Sequence, residues 1–218
     1  MKSRFVVAQM EQNGDPEINL ENARKAVAEA VEYYHADFIV FPECFMSLYP
    51  AGTPHETQLA SAQTLDGPFA TEMKKLAKDN HVWIAFGMNE KVDNPADPRN
   101  HNTTMIIDSE GEIKGVYRKT HLYDAFGYKE SDTICPGDKL FDPIDTPFGK
   151  IGLFVCYEVR FPEVARDQVL KGADIILMPT AWASGPLKSH QFKTLITARA
   201  IENTAYIVAA DQVGVNSM

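Results

Sequence analysis

The sequence predicts one α/β domain whose strands are buried on both faces. Three observations lead there. Apolar, strand-like runs alternate with helix-periodic segments near both ends of the chain. Two further runs in the middle flank a Gly-containing turn, as a hairpin would. The apolar runs also lack the strict apolar/polar alternation of a sheet with one wet face. A chain of 218 residues, 44% of them hydrophobic and 23% charged, is long enough and apolar enough to bury a core.

Each element has its own signal. Residues 4–10 form a first apolar run, and Asn13-Gly14-Asp15-Pro16 is a turn. Across 17–35, Ala23, Val27, Ala30, Val31 and Tyr34 recur at helical spacing. Residues 38–41 are a compact apolar strand stopped by Pro42. Asp66-Gly67-Pro68 opens a helix that runs to Asn80, with Asp66 or Gly67 as cap and Pro68 in its first turn. A strand is expected at 81–88 and a loop at 89–100. Strands at 102–107 and 113–118 flank the turn Asp108-Ser109-Glu110-Gly111. Residues 119–139 have no period, and loops this long are uncommon unless functional. Strands follow at 150–155, 173–178 and 205–210, with helices at 161–171 and 187–203. No repeat and no linker divides residues 1–218, so a single domain is expected.

The charge balance excludes some functions. Lys and Arg total 21 against 30 Asp and Glu, a net charge of −9, the wrong sign for a non-specific nucleic-acid or anionic-membrane binder. No apolar run reaches the ~20 residues that span a bilayer. The apolar stretch at the N-terminus is too short for a signal peptide. Three cysteines, Cys44, Cys135 and Cys156, form neither a disulfide framework nor a metal spacing, so reduced thiols in the cytoplasm are expected.

Three strands end in polar residues that do not belong in a core: Phe41-Pro42-Glu43-Cys44, Phe154-Val155-Cys156-Tyr157-Glu158-Val159-Arg160 and Met178-Pro179-Thr180. In α/β sheets ligands gather at the carboxyl ends of strands. Cys156 precedes a helix opening near 161–163, which would depress its pKa and sharpen its nucleophilicity; a buried apolar filler is the alternative. Glu43 would be a partly buried carboxylate able to act as a base, or a salt-bridged strand end. Lys119 and Glu130, in the long loop, could be solvated charges. Together the four make a sensible set. A carboxylate takes the thiol proton and returns it to a leaving amine, while a lysine stabilises the oxyanion.

Three segments then carry a resemblance. Phe41-Pro42-Glu43, Tyr117-Arg118-Lys119-Thr120-His121-Leu122 and the run from Gly152 through Cys156-Tyr157-Glu158 to Glu163 resemble, in order and separation, the signatures of the nitrilase superfamily, the carbon–nitrogen hydrolases. Pro136-Gly137-Asp138, Pro179-Thr180-Ala181-Trp182 and Ala198-Arg199-Ala200-Ile201-Glu202-Asn203 resemble further segments. The resemblance implies a four-layer αββα sandwich, no metal or organic cofactor, and homodimers or higher homo-oligomers packed through helices. By position it makes Glu43 the general base, Lys119 the stabiliser of the tetrahedral intermediate, Cys156 the nucleophile that forms a thioester, and Glu130 a second glutamate that positions substrate or shuttles protons. The backbone N–H of Tyr157 would share the oxyanion site.

The branch implied is the ω-amidase and deaminated-glutathione-amidase one, with N-carbamoyl amino-acid amidohydrolases as the alternative. Arg160, four residues after the nucleophile, would hold a substrate carboxylate unless it pairs with Glu158 or Glu163. Tyr157 stands where nitrile-hydrolysing members have Trp. Trp182 and Thr180 are expected at the substrate pocket. Family members continue past a segment seen here as Asp211-Gln212-Val213-Gly214, so a sandwich lacking the family's C-terminal strands is expected. A non-catalytic binding or scaffold protein on the same fold is the reading from another class.

Overall fold

The computed structural model describes residues 2–50, 52–94 and 96–214. The chain runs β1 (Phe5–Val7), α1 (Pro16–Glu32), β2 (Phe38–Val40), α2 (His55–Ala60), α3 (Pro68–Asp79), β3 (Trp83–Lys91), β4 (Asn100–Ile107) and β5 (Ile113–Arg118). It continues through β6 (Asp124–Ala125), β7 (Tyr128–Lys129), β8 (Ile144–Thr146), β9 (Gly149–Leu153), α4 (Pro162–Leu170), β10 (Ile175–Thr180), α5 (Lys188–Asn203) and β11 (Tyr206–Asp211). Local chemistry starts the helices as expected. The Asp15 side chain accepts the N–H of Glu17 at 2.9 Å, and Pro16, Pro68 and Pro162 each sit in a first turn.

The strands form two sheets. One is ordered β1-β2-β3-β4-β5, the other β11-β10-β9-β8. β1, β2 and β3 are parallel, in register Phe5–Phe38–Trp83, and β4 and β5 add antiparallel. β9, β10 and β11 are parallel, and β8 closes its edge antiparallel. Period-two alternation then sorts side chains into layers. Ile39, Phe41, Ile84, Phe86 and Met88 face Ala23, Val27 and Ala30 of α1 and Phe69, Met73 and Ala77 of α3. Phe38, Val40, Trp83 and Ala85 face Ile151, Leu153, Ile175 and Leu177 across the sheet–sheet interface. Phe154, Ile176 and Met178 pack on Val164 and Ala165 of α4, and Leu195 and Ile196 of α5 lie against them. The layers are therefore helix, sheet, sheet, helix. Phe38 is the knot of the middle layer, stacked on Phe5 at 5.2 Å and met edge-on by Phe148 at 6.0 Å.

Some element limits differ from expectation. The first strand stops at Val7 because its partner β2 ends at Val40, ahead of Phe41-Pro42. β3 outlasts its apolar run and reaches Lys91, since Asn89, Glu90 and Lys91 pair with Asn102, His101 and Asn100 of β4. β9 ends at Leu153, after which the chain turns through a 3-10 segment, Cys156–Arg160. The long loop contains the β6–β7 hairpin and one 3-10 turn, Glu130–Asp132. α2 carries no buried residue, so it had no apolar periodicity to find.

Two glycines let the site segments approach their supports. A Cβ on Gly87 of β3 would lie 2.4 Å from the Cys44 nitrogen, and one on Gly137 2.2 Å from the Arg118 oxygen. The turn after β2 and the loop beneath Lys119 thus pack directly on backbone.

Candidate active site

Four strand ends converge. Glu43 follows β2, Lys119 follows β5, Cys156 follows β9, and Ala181 follows β10. They meet at a cavity of about 330 Å³. Glu43 and Lys119 are each 2% exposed, and Glu130 is buried beside them. Lys119 Nζ lies 2.8 Å from Glu43 Oε1 and 3.0 Å from Glu130 Oε2. Asn102 Nδ2 donates to both carboxylates, at 2.7 and 3.1 Å. The N–H of Ala181 donates to Glu43 Oε2 at 2.9 Å, and the N–H of Tyr123 to Glu130 Oε2 at 2.6 Å. Two carboxylates against one ammonium leave an excess negative charge, which these amide donors stabilise.

Burial opposes the charge on Lys119, but Glu130 and Glu43 outweigh it and hold its ammonium well above the usual lysine range. The thiol behaves oppositely. Burial, and then the Glu43 carboxylate facing it, push Cys156 well above its usual range, although Lys119 and the Thr180 hydroxyl favour the thiolate. The depressed thiol expected from a helix N-terminus is thus corrected. Cys156 opens a short 3-10 turn rather than a helix, and desolvation dominates. Its backbone φ is +47°, a left-handed conformation costly for a residue with a Cβ. A thiol kept protonated beside a carboxylate needs that carboxylate as a base before it can attack.

The turn and the Lys119 loop are locked together by Glu158, which is fully buried. Its Oε1 accepts Tyr117 Oη at 2.7 Å, the N–H and hydroxyl of Thr120 at 3.0 and 2.8 Å, and the N–H of His121 at 3.1 Å. Its Oε2 accepts the N–H of Val155 at 2.7 Å. Burial would raise its pKa, but hydrogen bonds from His121, Tyr117 and Val155 outweigh it and hold the carboxyl below 4.5. The His121 ring nitrogen Nδ1, 3.4 Å from the same Oε1, is raised above 6.5 by that side-chain contact.

The substrate-side residues fall less uniformly. Arg160 pairs with neither Glu158 nor Glu163; its Nη2 donates to Gln191 Oε1 at 2.8 Å, and its guanidinium lies over the Tyr157 and Trp182 rings. Tyr157 and Trp182 line the cavity. Thr180, expected on its wall, is fully buried behind it, where its hydroxyl has no well-formed hydrogen bond and lies beside the thiol. Cys44 also lines the cavity, while Cys135 is half-buried in its loop. Among the described residues no three His, Cys, Asp or Glu side chains are grouped to hold a metal, and no helix is long and apolar enough to cross a membrane. Sequence reasoning missed Asn102 and the central role of Glu158. The only signal for Asn102 was a run of polar residues entering an otherwise apolar strand.

Comparison with known proteins agrees with this architecture. The carbon-nitrogen hydrolase family profile matches residues 6–218. The chain is 34% identical to a deaminated glutathione amidase of Escherichia coli O157:H7, over 91% of this chain and 73% of that protein. It is 33% identical to the nitrilase and fragile histidine triad fusion protein of Caenorhabditis elegans, where it spans about half of the relative, 48%. The solved structure of that fusion protein superposes with a TM-score of 0.87, covering 98% of this chain and 53% of that one. An amidase from Nesterenkonia sp. AN1, solved with acrylamide added at its active-site cysteine, superposes at 0.82 with 25% identity, covering 98% and 80%. The sandwich, the matched profile and these relatives make the chain a member of the carbon-nitrogen hydrolase family, the nitrilase superfamily, and a hydrolase of C–N bonds with amidases among its relatives.

Proposed function

We propose that the chain is a cysteine amidase for a small linear amide bearing a carboxylate away from the scissile bond. The observation that supports this most is a buried thiol lining the same cavity as the carboxylate of Glu43, which in turn holds the buried ammonium of Lys119. In this reading Glu43 removes the thiol proton as Sγ of Cys156 attacks the amide carbonyl carbon. Lys119 and the Tyr157 N–H stabilise the oxyanion. Glu43, now neutral, gives its proton to the leaving nitrogen; the C–N bond breaks, and ammonia or an amine departs from a thioester. Water then attacks the thioester with Glu43 as base, and the proton returns to Sγ as the acid leaves. Proton transfer to Glu43 removes the site's excess negative charge as the oxyanion forms, so attack does not add charge to a buried cluster. Glu130 and Asn102 keep Lys119 and Glu43 in place. Arg160 holds the substrate carboxylate, and the relatives named for deaminated glutathione suit such an acid.

The test is release of ammonia or amine from a panel: α-ketoglutaramate, deaminated glutathione, N-carbamoyl amino acids and a neutral aliphatic amide. Acidic ω-amides are expected to be turned over and Cys156→Ala to abolish it. Arg160→Ala should raise KM for acidic amides at least tenfold more than for the neutral one. Preference for the carbamoyl acids would move the chain to that branch. No turnover by the folded protein would favour a non-catalytic binder.

A further inference from the structure

The outer part of the cavity holds two cations that meet no acidic side chain among the described residues. Arg160 has one hydrogen-bond partner, the neutral Gln191, and its Nε is buried without any. Lys188, the first residue of α5, donates from Nζ to Tyr123 Oη at 3.2 Å and lies 4.5 Å over the Phe126 ring. Arg118, Arg199 and Arg99, by contrast, pair with Glu90, Glu202 and Asp97. Both cations face the same cavity.

A chain of ring contacts links them. The Arg160 guanidinium lies 5.8 Å over Tyr157, which meets Tyr123 edge-on at 5.1 Å; Lys188 lies 5.5 Å over that same Tyr123 ring. The indole N–H of Trp182 fastens the backbone of Lys188 at 3.0 Å. The only carboxylates on the cavity wall among the described residues, Glu43 and Glu130, are both taken by Lys119. Aromatic faces steady a cation but do not neutralise it, and an ammonium with three donors has two left after Tyr123.

We propose that Lys188 is a specificity-determining residue that binds a second carboxylate, so that the preferred ligand is an amide carrying two anionic groups. The proposal rests on the amidase reading only for giving Arg160 the first carboxylate. Binding to the full chain carrying Cys156→Ala tests it without turnover, by calorimetry with three probes. Glutaramate has one carboxylate. N-carboxymethylglutaramate has a second on the amine portion, and the monoamide of tricarballylate has a second on the acyl portion. Adding Lys188→Met should weaken at least one dicarboxylate tenfold or more, and glutaramate only about twofold, and the difference should shrink with added salt. Equal weakening of all three would make Lys188 a mere prop for Tyr123 and overturn the proposal. So would no weakening, or failure of every dicarboxylate to bind. Turnover by the unsubstituted chain separately decides the amidase reading, so the two can fail independently.

Discussion

Cys156 combines a left-handed backbone, burial and a carboxylate neighbour, and the direction of its pKa bears on how the proposed attack would begin. A thiol raised by burial and by Glu43 is poor at unassisted chemistry at neutral pH, yet well placed to hand its proton to that carboxylate. Glu43→Gln should therefore separate two properties. Amide turnover should fall by roughly 10²–10⁴ if the general base is lost. The pH midpoint for alkylation of Cys156 by iodoacetamide should move down, because one of the two leading causes of the raised thiol pKa is gone. Peptide mass spectrometry across a pH series reads it, and an unmoved or higher midpoint would deny that Glu43 faces the thiol as a carboxylate. At this scale the sequence was readable wherever a polar residue followed an apolar strand, as with Glu43 and Cys156. Lys188 was invisible because nothing in one chain's order says which helix start returns to the cavity. The thiol's direction was misread because burial, not proximity to a helix, sets it.

The elements that carry the site are tied by Glu158. Five donors from the Lys119 loop and from Val155 and Tyr117 converge on one buried carboxylate. Glu158→Gln would leave several unmatched and should cost roughly 3 kcal/mol. The pH dependence has two edges. Glu158 is held below 4.5, so its contribution is present above that value and lost as pH falls through the folded pKa. His121 is held above 6.5, so its contribution is full below 6.5 and lost as pH rises through its folded pKa. The Tm gap between the native sequence and Glu158→Gln should thus be widest between about 4.5 and 6.5 and narrow on both sides; a gap flat with pH would contradict the knot. Strands and long helices were legible from periodicity here, whereas α2 and the β6–β7 hairpin had no buried stripe to announce them.

For the whole molecule, the sheet–sheet layer joins both halves of the chain, since Phe38 of the first sheet packs against Phe148 beside the second. We propose on this ground that residues 1–218 unfold as one domain. Phe38→Ala should lower stability by about 3–5 kcal/mol and shift a single transition; two separate transitions would contradict it. The homodimer implied by the family is likewise a proposal, supported by Leu170 and Ile201, exposed on α4 and α5, and light scattering reads it directly. Strands buried on both faces announced sheets covered on both sides, while the four-layer order came from the family resemblance. Which strand ends meet was not, because it depends on parallel pairings far apart in the chain, such as Leu153 with Leu177.

In the proposed reaction Cys156, with Glu43 as its base, carries the acyl group of an amide. The most direct measurement is rapid-quench mass spectrometry of the protein during turnover of the best acidic amide. A transient acyl mass is expected on the peptide holding Cys156, lost in Cys156→Ala together with turnover. Turnover that persists in Cys156→Ala, or an acyl group found on Cys44 instead, would contradict it.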